Sequence, residues 1–104
     1  MATSAEHVLK ALAEPRRQQI LRLVRTTPRS VGEIAEQVDI TQQAVSQHLQ
    51  VLRDAGLVAV RQDGTRRLYA IRPEGLESLD GFLAELWPEG LRRLKAAVEA
   101  DDQR

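Results

Sequence analysis

A chain of 104 residues, 42% apolar and 29% charged, has the size and composition of one globular domain and is too short for two. It contains no cysteine, which excludes disulfides, thiolate metal sites and thiol redox switching. Fifteen Lys/Arg balance fifteen Asp/Glu, no apolar run approaches membrane-spanning length and the N-terminus lacks a hydrophobic signal segment, so a cytoplasmic protein without a membrane partner is expected.

The zero net charge is unevenly distributed. Residues 1–72 carry eleven Lys/Arg against seven Asp/Glu, and residues 73–104 carry four against eight. A basic body with an acidic tail suits a protein that meets phosphate with one side only.

The first predicted helix covers residues 5–13, with Ser4 as cap and Val8, Leu9 and Leu12 as its apolar face. Glu14-Pro15 breaks it, because the residue before a proline avoids the α region. Pro15 then suits the first position of a second helix, residues 15–25, which buries Ile20, Leu21, Leu23 and Val24. Arg16 and Arg17 open this helix, where cations oppose the helix dipole; they are either held for a phosphate or solvated.

Residues 30–54 have the pattern of two short helices joined by a tight connection at Asp39-Ile40. Ser30 with Glu33 forms a capping box ahead of Ile34, Ala35 and Val38. Thr41 caps the next helix, in which Val45, Leu49 and Leu52 make one buried stripe. The opposite face is Gln43, Ser46, Gln47 and Gln50, with Gln42 at its edge. A solvated helix normally carries Lys and Glu there. Glutamine can pair bidentately with adenine, and a short hydroxyl allows close approach to base edges. The plainer reading is that Gln is simply a good helix former on a wet face.

Gly56 is the expected helix stop, and residues 57–71 read as a β-hairpin wing. Asp63-Gly64 favours a two-residue type I′ turn, which would pair Gln62 with Thr65, Arg61 with Arg66, Val60 with Arg67 and Val58 with Tyr69. Arg61 facing Arg66 would then place like charges opposite each other, at a cost in stability. Arg61, Arg66 and Arg67 around one tip are better explained by a nearby phosphate backbone or minor groove than by solvated decoration.

The tail, residues 74–100, follows Arg72-Pro73. Leu76, Leu79, Phe82, Leu83 and Leu86 share one apolar face, continued by Trp87, Leu91, Leu94 and Val98, with a kink or a junction of two helices expected at Pro88. Such a stripe is long for a domain this small. The tail, residues 74–100, is therefore expected to build a twofold dimer through Leu79, Phe82, Leu83, Leu86, Trp87, Leu91 and Leu94. Residues 101–104 are mostly charged. His7 and His48 are the two histidines, too few and too dispersed for a metal site; no cofactor and no catalytic set is expected.

A-L-A-E-P-R-R-Q-Q-I-L, S-x-x-E-I-A, A-V-S-Q-H-L-x-V-L-R-x-A-G-L-V and D-G-x-R-x-x-Y, in that order over residues 8–71, resemble the ArsR family of bacterial repressors. The resemblance implies a mainly α winged helix-turn-helix (α-α-α-α-β-β-α) that dimerises through its terminal helices, residues 5–13 and 74–100, which adds Val8 and Leu12 to the expected interface. It also implies a homodimeric repressor; with the residues singled out above, an inverted-repeat operator in double-stranded DNA is expected to be contacted by Gln42, Gln43, Ser46, Gln47, Gln50, Arg16, Arg61, Arg66 and Arg67. The family's metal sensors carry cysteines where this chain reads Ser30-Val31-Gly32-Glu33-Ile34, or histidines on a final helix that has none here. The chain is thus similar to the metal-independent branch, whose members often have an aromatic-rich tail like F-L-A-E-L-W. Any small-molecule inducer is left unnamed. The competing reading is a winged helix used purely for protein–protein interaction, which would need neither the amide face nor the arginines.

Overall fold

The computed structural model describes residues 5–87 and 89–102, without the side chains of residues 90–92, 94 and 102. Ser4, the expected first cap, lies outside the described residues. Four helices, a hairpin and two tail helices follow in order: α1 Ala5–Leu12, α2 Pro15–Thr26, α3 Val31–Val38, α4 Gln42–Asp54, β1 Val58–Asp63, β2 Arg66–Ile71, a 3-10 turn Pro73–Leu76, α5 Glu77–Leu86 and α6 Glu89–Asp102.

Local chemistry explains most of the boundaries. Glu14 is the N-cap of α2, its carboxylate accepting the Arg17 N–H at 3.1 Å, and Pro15 supplies the first helical residue. Ser30 and Glu33 form the capping box of α3: the Ser30 hydroxyl accepts the Glu33 N–H at 3.2 Å, and the Glu33 carboxylate accepts the Ser30 N–H at 3.0 Å. Asp39 ends α3 in the left-handed region (φ 58°, ψ 50°), which a short polar side chain tolerates. Thr41 caps α4 by accepting the Ala44 N–H at 3.1 Å. At the other end, the Gly56 N–H reaches the Arg53 carbonyl and the Leu57 N–H the Leu52 carbonyl, each at 2.9 Å. With Gly56 at φ 76° this is a Schellman stop.

The core gathers Val8, Ile20, Val24, Ile34, Val45, Leu49, Leu52, Leu57, Val58 and Tyr69 from α1 through β2. The whole Val45–Leu49–Leu52 stripe of α4 is buried, and each such side chain contributes about 1.5–3 kcal/mol of burial. This stripe fixes the rotation of α4 and so decides which face is left outside. Val8 is among the core residues at 0% exposure. It has no surface to offer a second subunit, which corrects its expected place in a dimer interface.

The hairpin register also differs from expectation. Asp63 pairs with Arg66, Gln62 with Arg67, Arg61 with Leu68, Val60 with Tyr69 and Val58 with Ile71. The two-residue loop is therefore Gly64-Thr65. Gly64 takes φ 64°, and Thr65 is not among the positive-φ residues; positive φ at the first central position alone is the type II′ pattern. The predicted confrontation of Arg61 with Arg66 does not occur, and opposite charges, Asp63 and Arg66, flank the turn instead. At the base of the hairpin, Arg29 and Tyr69 exchange both backbone hydrogen bonds, at 3.0 and 2.8 Å, adding a one-residue third strand.

After the 3-10 turn the tail forms two helices rather than one run. Trp87, the residue before Pro88, is extended (φ −71°, ψ 122°), as a residue preceding proline prefers. Helix α5 has no buried residue.

Candidate nucleic-acid interface

Gln42, Gln43, Ser46, Gln47 and Gln50 are all exposed along α4, the last four away from its buried stripe and Gln42 at the edge of that face beside Gly32 of α3. Four are free of side-chain hydrogen bonds among the described residues. The exception is Gln50, whose amide donates to Asp54 Oδ1 at 2.9 Å. The unengaged polar groups therefore concentrate in the N-terminal half of the helix, beside the positive end of its dipole.

The wing stands next to this surface. Strand alternation puts Arg61, Asp63, Arg66 and Leu68 on one face of the hairpin and Val60, Gln62, Arg67 and Tyr69 on the other. Arg61 and Arg67 are exposed and make no ion pair or side-chain hydrogen bond among the described residues. Arg66 is engaged: its Nη2 lies 2.5 Å from Glu33 Oε1 at the start of α3. The Glu33 carboxyl is held below the usual glutamate range, first by the Ser30 backbone N–H, then by the Ser30 hydroxyl, with the Arg66 and Arg29 charges adding to the effect.

The arginines at the start of α2 are both engaged with the chain itself, Arg16 through Nη1 alone while the residue stays exposed. Arg16 Nη1 donates to the Val38 carbonyl at 2.9 Å and to Gln19 Oε1 at 3.3 Å, so its charge sits at the C-terminus of α3. Arg17 donates to the Ala11 and Lys10 carbonyls at 2.7 and 3.1 Å, and Gln18 donates to the Leu12 carbonyl at 2.7 Å. These side chains complete the end of α1. The unsatisfied last carbonyls of any helix are the signal that could have assigned them, but a sequence does not say which helix end lies within reach.

His48 Nε2 is 4.0 Å from Glu14 Oε2, consistent with its expected place at the margin of the α4 stripe. Among the described residues no three His, Cys, Asp or Glu converge as metal ligands.

On the tail, Phe82, Leu83, Leu86 and Trp87 are exposed, Leu86 to 63%, and Leu9 of α1 is exposed as well. Leu12 and Leu79 are half-buried against the chain's own core. The side chains of Leu91 and Leu94 lie outside those described. No described helix is long and apolar enough to cross a membrane.

The arrangement can be compared with known proteins. The model of the bacterial regulatory protein, arsR family, matches residues 14–60, from the cap of α2 into β1. The HTH-type transcriptional regulator Rv2034 of Mycobacterium tuberculosis is 36% identical over 98 residues, which cover 94% of this chain and 92% of that protein. A crystal structure of a possible transcriptional regulator for arsenical resistance superposes with a TM-score of 0.68 at 37% identity, over 86% of this chain and 93% of that one. The solution structure of the homodimeric winged helix-turn-helix DNA-binding domain Mb0332 of Mycobacterium bovis gives a TM-score of 0.65 at 37% identity, over 78% and 75% of the two chains. With these elements in this order, the mainly helical fold with its two-stranded hairpin is a winged helix-turn-helix, and the chain belongs to the ArsR family of bacterial regulatory proteins.

Proposed function

We propose that this chain is a sequence-specific DNA-binding transcriptional regulator that acts as a homodimer on an inverted-repeat operator and represses by occupying it. The observation that carries the reading is the α4 surface. It holds four amides and a hydroxyl, no charge, and side chains that are exposed and largely unengaged. Helix-turn-helix proteins bring the N-terminal half of this helix to base edges. Gln43, Ser46 and Gln47 are assigned to that contact, with Gln42 and Gln50 at its borders. Arg61 and Arg67 are assigned to phosphate, which adds affinity without sequence preference.

The homodimer of Mb0332 and the uncovered Phe82, Leu83, Leu86 and Trp87 support a dimer built on the tail helices. A twofold axis there presents two copies of α4 about one turn of DNA apart. An interaction module that never meets DNA would have no use for an uncharged amide face. No residue set for catalysis is proposed.

Fluorescence anisotropy with duplexes from the chain's own promoter, against random duplexes of equal length, tests the reading. The expected result is tighter binding to one promoter segment by about 10³-fold or more, with lower transcription from that promoter in a reporter assay. Equal affinity for all duplexes would refute sequence-specific regulation.

A further inference from the structure

Arg66 and Arg67 are adjacent in the chain and project to opposite faces of the hairpin. The Arg66 side crosses to α3, where Nη2 meets Glu33 Oε1 at 2.5 Å. That same oxygen accepts the Ser30 N–H at 3.0 Å, so the capping box holds the carboxylate in place before Arg66 arrives. The two residues are 33 apart in sequence. Their contact joins the loop end of the wing to the N-terminus of the first helix of the helix-turn-helix.

A two-stranded hairpin is marginal on its own. Here its base is anchored by the Arg29–Tyr69 bridge, several residues from the loop. With that anchor alone the outer part of the wing could swing. A second attachment near the loop removes this freedom, and it is made to the helix that packs directly against α4.

We infer that Glu33 is a positioning residue for DNA binding, acting through Arg66 to hold the wing at a fixed angle to α4, so that Arg67 meets the phosphate backbone while Arg66 does not. The inference rests on the DNA-binding reading above. An exposed pair of this kind adds little to global stability; its effect is on where the wing points. If Arg66 instead left Glu33 for a phosphate on binding, Glu33 would be a competitor of DNA, and its removal would tighten binding to every sequence.

The test uses the full chain as wild type, Glu33→Gln, Arg66→Ala, the double variant and Arg67→Ala. Glutamine at this position preserves the capping box, so α3 keeps its start. Two measurements are made: anisotropy with promoter and random duplexes over a salt series, and amide hydrogen exchange of residues 60–68 in the free protein. Glu33→Gln and Arg66→Ala should each weaken specific binding roughly three- to tenfold, with the double variant no worse than either single one, as expected for residues that act as a unit. Their slope of log affinity against log salt should match the wild type, whereas Arg67→Ala should reduce it by about 1 per protomer. Hairpin amides should exchange faster in both tether variants. A slope lost in Arg66→Ala as in Arg67→Ala, or tighter binding of Glu33→Gln to all duplexes, would overturn the inference. So would unchanged hairpin exchange in either variant. If the wild type bound no duplex at all, the DNA-binding reading would fall, and the exchange rates would still decide whether Glu33 holds the wing.

Discussion

Gly75 sits so close to Gly56 that a Cβ on Gly75 would lie 2.1 Å from the Gly56 carbonyl oxygen and 3.2 Å from the Leu57 Cα. The 3-10 turn at the start of the tail is thereby pressed onto the backbone that ends α4 and begins β1. The Arg72 N–H, donating to the Leu57 carbonyl at 2.8 Å, holds the two segments at that spacing. Because the obstacle is backbone, it cannot rotate out of the way as a side chain would.

Gly75→Ala is therefore expected to destabilise the domain by about 1–3 kcal/mol, the usual cost of forcing atoms into packed space. For a chain of this size, 1 kcal/mol corresponds to a fall in Tm of about 4–8 °C. Gly81→Ala is the control. Nothing lies within 4 Å of its Cβ position, and it is on α5 opposite the apolar face, so it should be neutral or gain up to about 1 kcal/mol of helix propensity. Equal Tm values for the two variants would show that the chain at Gly75 shifts without cost.

The tail makes the second prediction. Leu86→Glu or Trp87→Asp places charge on an exposed apolar face without touching the core of α1 through β2. Sedimentation velocity at micromolar concentration should show the wild type as a dimer and these variants as monomers or insoluble protein. Soluble monomers should bind the promoter duplex more weakly by on the order of 10²-fold, because two linked half-sites become one. A wild-type monomer with full affinity would refute assembly through this face.

Much of the fold was legible because its determinants are local. Ser30 with Glu33, Thr41, Glu14-Pro15 and Gly56 act on residues within a turn of themselves, and all four sit at the expected helix boundaries. The Val45–Leu49–Leu52 stripe likewise followed from period alone. What could not be read was non-local, or was decided by small differences. Asp63-Gly64 supports a type I′ loop, yet Gly64-Thr65 with its positive φ at glycine fits type II′, and one residue of loop placement changed every cross-strand partner. Arg16, Arg17 and Arg66 show charge in the sequence but not destination. Each finds a carbonyl or carboxylate whose position depends on the packed structure. Val8 followed the apolar periodicity correctly, but periodicity does not separate a monomer core from an interface.

Glu33 gives a pH prediction. Its folded carboxyl titrates below the ordinary glutamate value, chiefly because of the Ser30 backbone N–H. A depressed folded value means the ionised form favours the native state. That contribution is fully present above the unfolded value of about 4.3 and is lost as pH falls through the folded value. Any Tm difference between wild type and Glu33→Gln, small for so exposed a group, should therefore hold constant well above the unfolded value and close as the pH falls from there through the lower folded value. Other carboxylates act on both proteins and largely cancel in the difference. A gap that widened on acidification would mean the opposite shift.

Metal response can be tested directly. The chain has no cysteine, and its two histidines are on different helices, α1 and α4. Zinc, cadmium and arsenite bind soft or imidazole ligands in converging sets. Titrating each into the complex with promoter DNA should leave the affinity unchanged within about twofold at metal concentrations on the order of the protein's. Release by one of them, reversed by a chelator, would refute this expectation.

The recognition helix gives the final prediction. Gln43, Ser46 and Gln47 are exposed, uncharged and unengaged, while the buried stripe behind them holds α4 in place. Their alanine variants should therefore leave Tm within about 2 °C of wild type, as expected for surface changes away from packing. They should lose about 1–3 kcal/mol of specific binding for each bidentate base contact removed. Binding to random DNA, assigned in the proposal above to cations such as Arg67, should keep both its strength and its salt slope. Glutamine prefers the adenine edge, so footprinting should place A·T pairs in the half-sites opposite Gln43 or Gln47. Equal losses on promoter and random duplexes would assign the sequence reading to another element. A Tm falling in step with affinity would show instead that these side chains support the fold.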